Sequence, residues 1–288
     1  MAGFTDNNED DFNTQMLAAI ESNDLATLHD VISKREAEGP DALRQGNGLS
    51  DALNEALELA RYNMAEELFK RGARCTDCTI GYVLDGARGE NEWNTKAIDV
   101  ALAYGWNINE PYEHVGSALV SIVSHAETGP GYPDGETACL KIAAHLLLKG
   151  AHVDESTRTN ENPLEIACGK DDRHMAALLL AHDASLEKAP KALLNAASAG
   201  SIDIMQQLLD RGADVNAHPY GRLEIIPAQL EDEGWGSALH CAVKKHHTEA
   251  VSFLLEKGAA KEYRNMVGLT ALDLARKLGH EDIVRLLE

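Results

Sequence analysis

The chain has 288 residues, 44% of them hydrophobic but only 5% aromatic, and its 26 basic against 47 acidic side chains give a formal charge of −21. That charge argues against nucleic acid and anionic membranes as partners, because binding a phosphate surface depends on Lys and Arg displacing counterions. It leaves attraction to a basic protein surface, or simple solubility, as its use, while the low aromatic content favours Ala- and Leu-rich helices over a strand-rich sandwich.

The first residues, "MAGFTDNNEDDFNTQ", lack the basic-then-apolar order of a secretory signal, and the acidic cluster Asp6 to Asp11 is unlike a transit peptide. Residues 1–11 are expected to be a disordered acidic N-terminus. No uncharged run approaches the ~18 apolar residues of a membrane span. Five cysteines cannot all pair within one chain, and Cys168 and Cys241 fall inside helix patterns as small apolar residues, so a reducing cytoplasmic or nuclear setting is expected.

From Met16 onward an apolar residue followed three places later by a partner residue, usually a small one, recurs as a register mark. The marks are Met16 with Ala19, Leu53 with Ala56, Val83 with Gly86, Leu119 with Ile122, Leu164 with Ala167, Leu194 with Ala197, Leu239 with Ala242 and Leu272 with Ala275. They predict eight helix pairs. The steps between them are 37, 30, 36, 45, 30, 45 and 33 residues, a unit near 33 with two steps stretched. A short side chain lets the two helices of a pair approach. Gly150, Gly212 and Gly258 in "LLxxGA" segments are expected to end the second helices in the left-handed conformation, and Asp183 holds the same place in "LLLAHDASL". Such a unit cannot bury its apolar face alone, so neighbouring units must stack.

These residues resemble the ankyrin repeat family, with "GLTALDLA" and "SALHCA" similar to its first-helix signature and "GADVNA" to its hairpin signature. The "WGSAL" and "VGSAL" variants, with Ala in place of the usual Pro, resemble a subtype frequent in fungal ankyrin proteins. The resemblance implies an all-α solenoid of about eight helix-turn-helix units with short hairpins or turns. It covers residues 12–288 as one domain: an N-terminal capping repeat at 12–48, central repeats at 49–267 and a C-terminal repeat at 268–288. The chain stops at "DIVRLLE", before any "LLxxGA" turn, so the last repeat is either a short cap or a truncated one.

Four stretches depart from the pattern. The pair around Tyr82 to Leu102, with Gly86, Gly89 and Trp93, predicts a bent or widened stack, and Ala184 to Lys191, "ASLEKAPK", predicts a hairpin reduced to a turn. Two loops are inserted. Residues 127–137, with three glycines and two prolines, separate the two helices of one pair and read as a solvated loop. Residues 218–233 separate one pair from the next on the hairpin side. Leu223, Ile225, Ile226 and Leu230 there should not be left exposed, so this insertion is expected to fold back over the concave face near Trp235.

The chemistry-bearing constellations have structural alternatives. Cys75 and Cys78 have the spacing of half a zinc or redox site, but no second pair follows. His240, Cys241, His246 and His247 could be ligands, yet the resemblance places His240 where an imidazole bonds backbone and His246 with His247 at a turn. Ser121, Ser124, His125 and Glu127 invite a hydrolase reading, but no nucleophile elbow accompanies them. Neither a catalytic residue, a metal nor a cofactor is therefore assigned. What the resemblance implies is a non-catalytic, monomeric scaffold or adaptor binding a protein partner, expected to be basic, through its concave face and hairpin-side loops. The expected partner-binding residues are Trp106, Tyr112, His114, Tyr220, Arg222, Trp235 and His240. Core packing is the alternative for Trp106, and pinning of the insertion to its own scaffold for Tyr220 and Arg222. The competing function is an unusual enzyme or small-molecule binder whose pocket, lined by Tyr220, Trp235 and His240, is lidded by residues 218–233.

Overall fold

A computed structural model describes residues 7–39, 42–44, 48–75, 79, 81–83, 95–111, 116–125, 138–156, 162–217 and 236–288. Among these residues the regular elements are helices, in the order α1 (Asn7–Glu21), α2 (Leu25–Glu36), a single 3-10 turn (Ala42–Arg44), α3 (Gly48–Glu58), α4 (Tyr62–Lys70), α5 (Lys96–Ala103), α6 (Ala118–His125), α7 (Ala138–Leu148), α8 (Pro163–Gly169), α9 (Arg173–Ala181), α10 (Ala192–Ala199), α11 (Ile202–Asp210), α12 (Ala238–Lys244), α13 (Thr248–Glu256), α14 (Ala271–Leu278) and α15 (Glu281–Leu287). Helix α1 starts at Asn7, earlier than the expected boundary at residue 12, so residues 7–11 are helical rather than disordered. Both inserted loops, and most of the irregular stretch around Gly86 to Trp93, lie outside the described residues.

The chain divides into two units, Met1–Ala118 with Lys141–Ala151, and Leu119–Leu140 with His152–Glu288. Within each, first helices pack on first helices: α1 on α3 in the first unit, and α8, α10, α12 and α14 in succession in the second. The register marks explain this. Met16, Leu53, Val83, Leu119, Leu164 and Leu239 are all completely buried, as are Ala56, Ile122, Ala167, Ala242 and Ala275 three places later. Each buried aliphatic side chain of this size contributes ~1.5–3 kcal/mol. Small residues at the second position bring the helices close enough to exclude water. In the sixth pair Leu193, Leu194, Ala196 and Ala197 are all buried, but α10 is capped at Lys191, two residues before Leu193, as α8 and α12 are capped two residues before Leu164 and Leu239. The register there is one residue earlier than Leu194 and Ala197 indicate, because both adjoining positions are apolar and buried.

Two left-handed residues punctuate each regular unit. Gly150, Gly212 and Gly258 follow the second helices with φ of 95°, 90° and 89°, and Asp183 adopts 61° at the same place. Between first and second helices the left-handed residue is Asn23, Ala60, Asp171, Gly200, His246 or Gly279. His246 thus stands in the backbone conformation that Gly279 holds one repeat later. Helix starts are capped where a polar side chain is available: Asn162 with Glu165 and Thr270 with Asp273 form reciprocal capping boxes, and Asp24 accepts from Ala26 and Thr27 amides.

Candidate protein-interaction surface

Polar side chains at two recurring positions join neighbouring repeats, and they separate the residues that hold the stack from those free to meet a partner. The first position directly follows the register mark. Asn54 Oδ1 accepts from the Thr79 hydroxyl at 3.0 Å. Glu165 Oε1 accepts from the Lys191 amide at 2.8 Å. His240 Nε2 donates to the Leu269 carbonyl at 3.1 Å, which leaves Nδ1 of the neutral imidazole to accept from the Ser237 hydroxyl at 3.0 Å. All three side chains are buried, so each needs its partner in the next repeat. In the last pair this position is Asp273, which instead caps its own helix at Thr270.

The second position lies four residues after the left-handed residue that ends a second helix. Asn216 Oδ1 accepts from the Ala260 amide at 2.8 Å, and Asp154 Oδ1 from the Ser185 amide at 2.8 Å. Asn109 Nδ2 donates to the Gly150 carbonyl at 3.1 Å. Sequence reasoning passed over these bridges. Their signal was present in "GADVN", "GAHVD" and "GWNIN", whose fifth residue is always Asn or Asp.

Two expected partner-binding residues are corrected by these surroundings. His240 is 1% exposed and its ring is held from both nitrogens, so it is a packing residue between repeats. Trp106 is 6% exposed and follows Gly105 at the place where Ala73, Ala151, Ala184 and Ala259 are buried in other repeats. Its indole fills the core. Tyr112, His114, Tyr220, Arg222 and Trp235 lie outside the described residues, as do Cys78 and Glu127.

The sequence-level ligand and nucleophile candidates diverge in space. His246 Nε2 donates to Asp282 at 2.8 Å while its ring stacks on His280 at 4.0 Å, and His247 Nε2 donates backwards to the Ser198 carbonyl at 3.0 Å. His125 Nδ1 bonds the Ser121 carbonyl at 2.8 Å. Among the described residues no three His, Cys, Asp or Glu side chains are grouped as a metal site would require. Burial, with the Glu110 charge behind it, pushes the Cys75 thiol up to about 11, and burial pushes Cys241 up to about 12, so neither is a ready thiolate.

The ends of the first helices are among the exposed parts of the surface. Glu21, Glu58 and Leu59 are exposed in the first unit, and Lys245, Arg276, Lys277 and Leu278 in the second. No basic residue occupies the last turn of α1 or α3. Desolvation, then the charges of Glu58 and Glu21, raises the Glu55 carboxyl above its ordinary value, so three carboxylates act on one another at helix ends whose dipole is itself negative. In the second unit α12 and α14 have the opposite sign there, with Lys244, Lys245, Arg276 and Lys277.

A family model described as "Ankyrin repeats (3 copies)" matches residues 136–219 and 220–288, together more than half of the chain. The chain belongs to the ankyrin repeat family. This ankyrin repeat chain is 35% identical over 119 residues to the Ankyrin repeat and KH domain-containing protein mask of Drosophila melanogaster, an alignment spanning 40% of this chain and 3% of mask. It is 26% identical over 214 residues to the putative ankyrin repeat protein YahD of Escherichia coli, spanning 72% of this chain and 93% of that protein. The ankyrin repeat domain of human ASB11 superimposes with a TM-score of 0.49 at 20% identity, covering 82% of this chain and 81% of that one. Ankyrin repeats are protein-interaction modules, and the coarse assignment of a protein-binding role follows from the family.

Proposed function

We propose that this ankyrin repeat chain is a non-catalytic, monomeric adaptor of the cytoplasm or nucleus that holds a protein partner against the exposed ends of its first helices and its turn side, with a basic segment of the partner meeting the first unit. The observation that supports this most directly is the set Glu21, Glu55 and Glu58 with the exposed Leu59. These carboxylates stand at helix C-termini, where Lys or Arg would stabilise the fold, and the charges of Glu58 and Glu21 add to desolvation in raising the Glu55 carboxyl. An arrangement unfavourable for the isolated stack becomes favourable when a basic segment covers it. Leu59 supplies adjoining apolar area.

The test is capture of partners from native extract by the whole chain, comparing wild type with a Glu21→Lys, Glu58→Lys, Leu59→Ala variant. Loss of one or more captured proteins is expected, together with salt-sensitive retention by the wild type. A partner set unchanged by the triple variant would refute the assignment.

A further inference from the structure

The step from Leu164 to the structurally equivalent Leu193 is shorter than the unit near 33, because the connection Ala184 to Lys191 is a series of tight turns in place of a projecting hairpin. The missing finger leaves a notch on the turn side of the second unit. Leu186, Ala189, Pro190 and Leu193 form one wall, Leu208, Ala213 and Ala217 the other, around a volume of ≈ 300 Å³. That volume admits one or two aliphatic side chains. Two carboxylates, Glu187 and Asp214, line the same notch and are exposed. Nearby cations are engaged elsewhere: Lys188 pairs with Asp154 at 3.6 Å, and the Arg211 guanidinium donates to the Leu180 carbonyl.

We infer that this notch is the seat for an aliphatic side chain carried by a Lys- or Arg-bearing segment of a protein partner. The inference rests on the protein-binding reading above and adds a second, separate contact to it. The apolar walls take up the aliphatic side chain, and the carboxylates face the flanking cations. Those carboxylates sit in a chain of formal charge −21, which draws a basic segment towards the surface before contact. An acidic segment meets repulsion from Glu187 and Asp214, and a wholly apolar one leaves both carboxylates without counter-charge. The notch therefore selects by charge and by shape together.

The experiment is methyl NMR on the full chain labelled at Ala and Leu methyls, titrated with the peptide acetyl-Lys-Arg-Leu-Lys-Arg-amide. The expected result is saturable shifts at Leu186, Leu193, Ala213 and Ala217, with binding about tenfold weaker for the peptide carrying Ala in place of Leu. A Glu187→Gln, Asp214→Asn variant keeps the acceptor that Asp214 presents to the Asn216 amide. It should bind about two- to fivefold more weakly and lose most of the salt dependence. Equal binding of an acidic peptide with the same central Leu, or notch methyls that do not respond, would overturn the inference. So would cross-peaks in the free protein between these methyls and Leu223 or Leu230, since its own chain would then fill the notch. A silent notch with intact partner capture overturns this inference alone, whereas capture insensitive to the first-helix variant overturns the earlier proposal alone.

Discussion

Gly236→Ala tests whether the buried His240 seat is as rigid as its hydrogen bonds imply. Gly236 has no left-handed φ, so an added methyl meets no backbone penalty, only its neighbours. That methyl would lie 2.8 Å from Asn265 Cβ, 2.8 Å from His240 Cγ and 2.9 Å from His240 Nδ1. Carbon atoms pack best at ~3.5–4.0 Å, so one neighbour has to retreat by more than half an ångström. Neither can do so freely. His240 and Asn265 are 1% and 5% exposed, and Asn265 Oδ1 accepts from the Val267 and Leu269 amides at 3.1 and 2.9 Å while His240 is held at both nitrogens. Overpacking of this kind costs ~1–3 kcal/mol, and lengthening one hydrogen bond adds up to ~1 kcal/mol. Urea unfolding followed by circular dichroism should show a loss of about 2–3 kcal/mol, a sum drawn from those two ranges. Gly212→Ala is the contrasting control, because nothing lies within 4 Å and only its φ of 90° is penalised, by ~1–2 kcal/mol. In a His240→Ala background the cost of Gly236→Ala should fall by about 1 kcal/mol or more, the coupling expected of touching residues. A Gly236→Ala cost below about 0.5 kcal/mol, or one unchanged in that background, would refute the reasoning.

Ala60→Gly should raise stability by up to ~1 kcal/mol, since Ala60 holds a φ of 54° that glycine adopts without steric cost; an unchanged urea midpoint would contradict this. Asn216→Ala should cost ~1–3 kcal/mol by leaving the Ala260 amide without its acceptor, read as faster hydrogen exchange at that amide. The Thr248 hydroxyl, then His246, hold the Asp282 carboxyl well below its ordinary value of 3.8. A depressed pKa contributes stability that is complete above the ordinary carboxylate range and is lost as pH falls through the folded value, so Asp282→Asn should flatten the acid-side decline seen in urea midpoints below about pH 4. Burial raises the Cys168 and Cys241 thiols, so both should react with a disulfide reagent at pH 8 only after denaturant is added.

Spacing and side-chain size determined the helix pairs. A buried aliphatic mark, a small residue three places on and a left-handed residue after each outer helix are local requirements, and each leaves a signature that needs no neighbour to read. The sequence therefore placed seven of the eight marks on buried residues, the exception being the half-buried Leu272 of the last pair, and in the sixth pair it set the register one residue late, where Leu193 and Leu194 are both buried. The surface was less legible. Trp106 and His240 have the residue types of an interface, but whether such a side chain faces a partner or the next repeat depends on what stacks against it, and stacking is a property of two units. Tertiary structure alone decided that Asn54, Glu165 and His240 share one role with different chemistry, donor or acceptor according to the group opposite, a hydroxyl, a backbone amide or a backbone carbonyl. It also decided that the connection at Ala184 to Lys191, which the sequence reads as a hairpin reduced to a turn, opens a notch between walls contributed by residues 186–193 and 208–217.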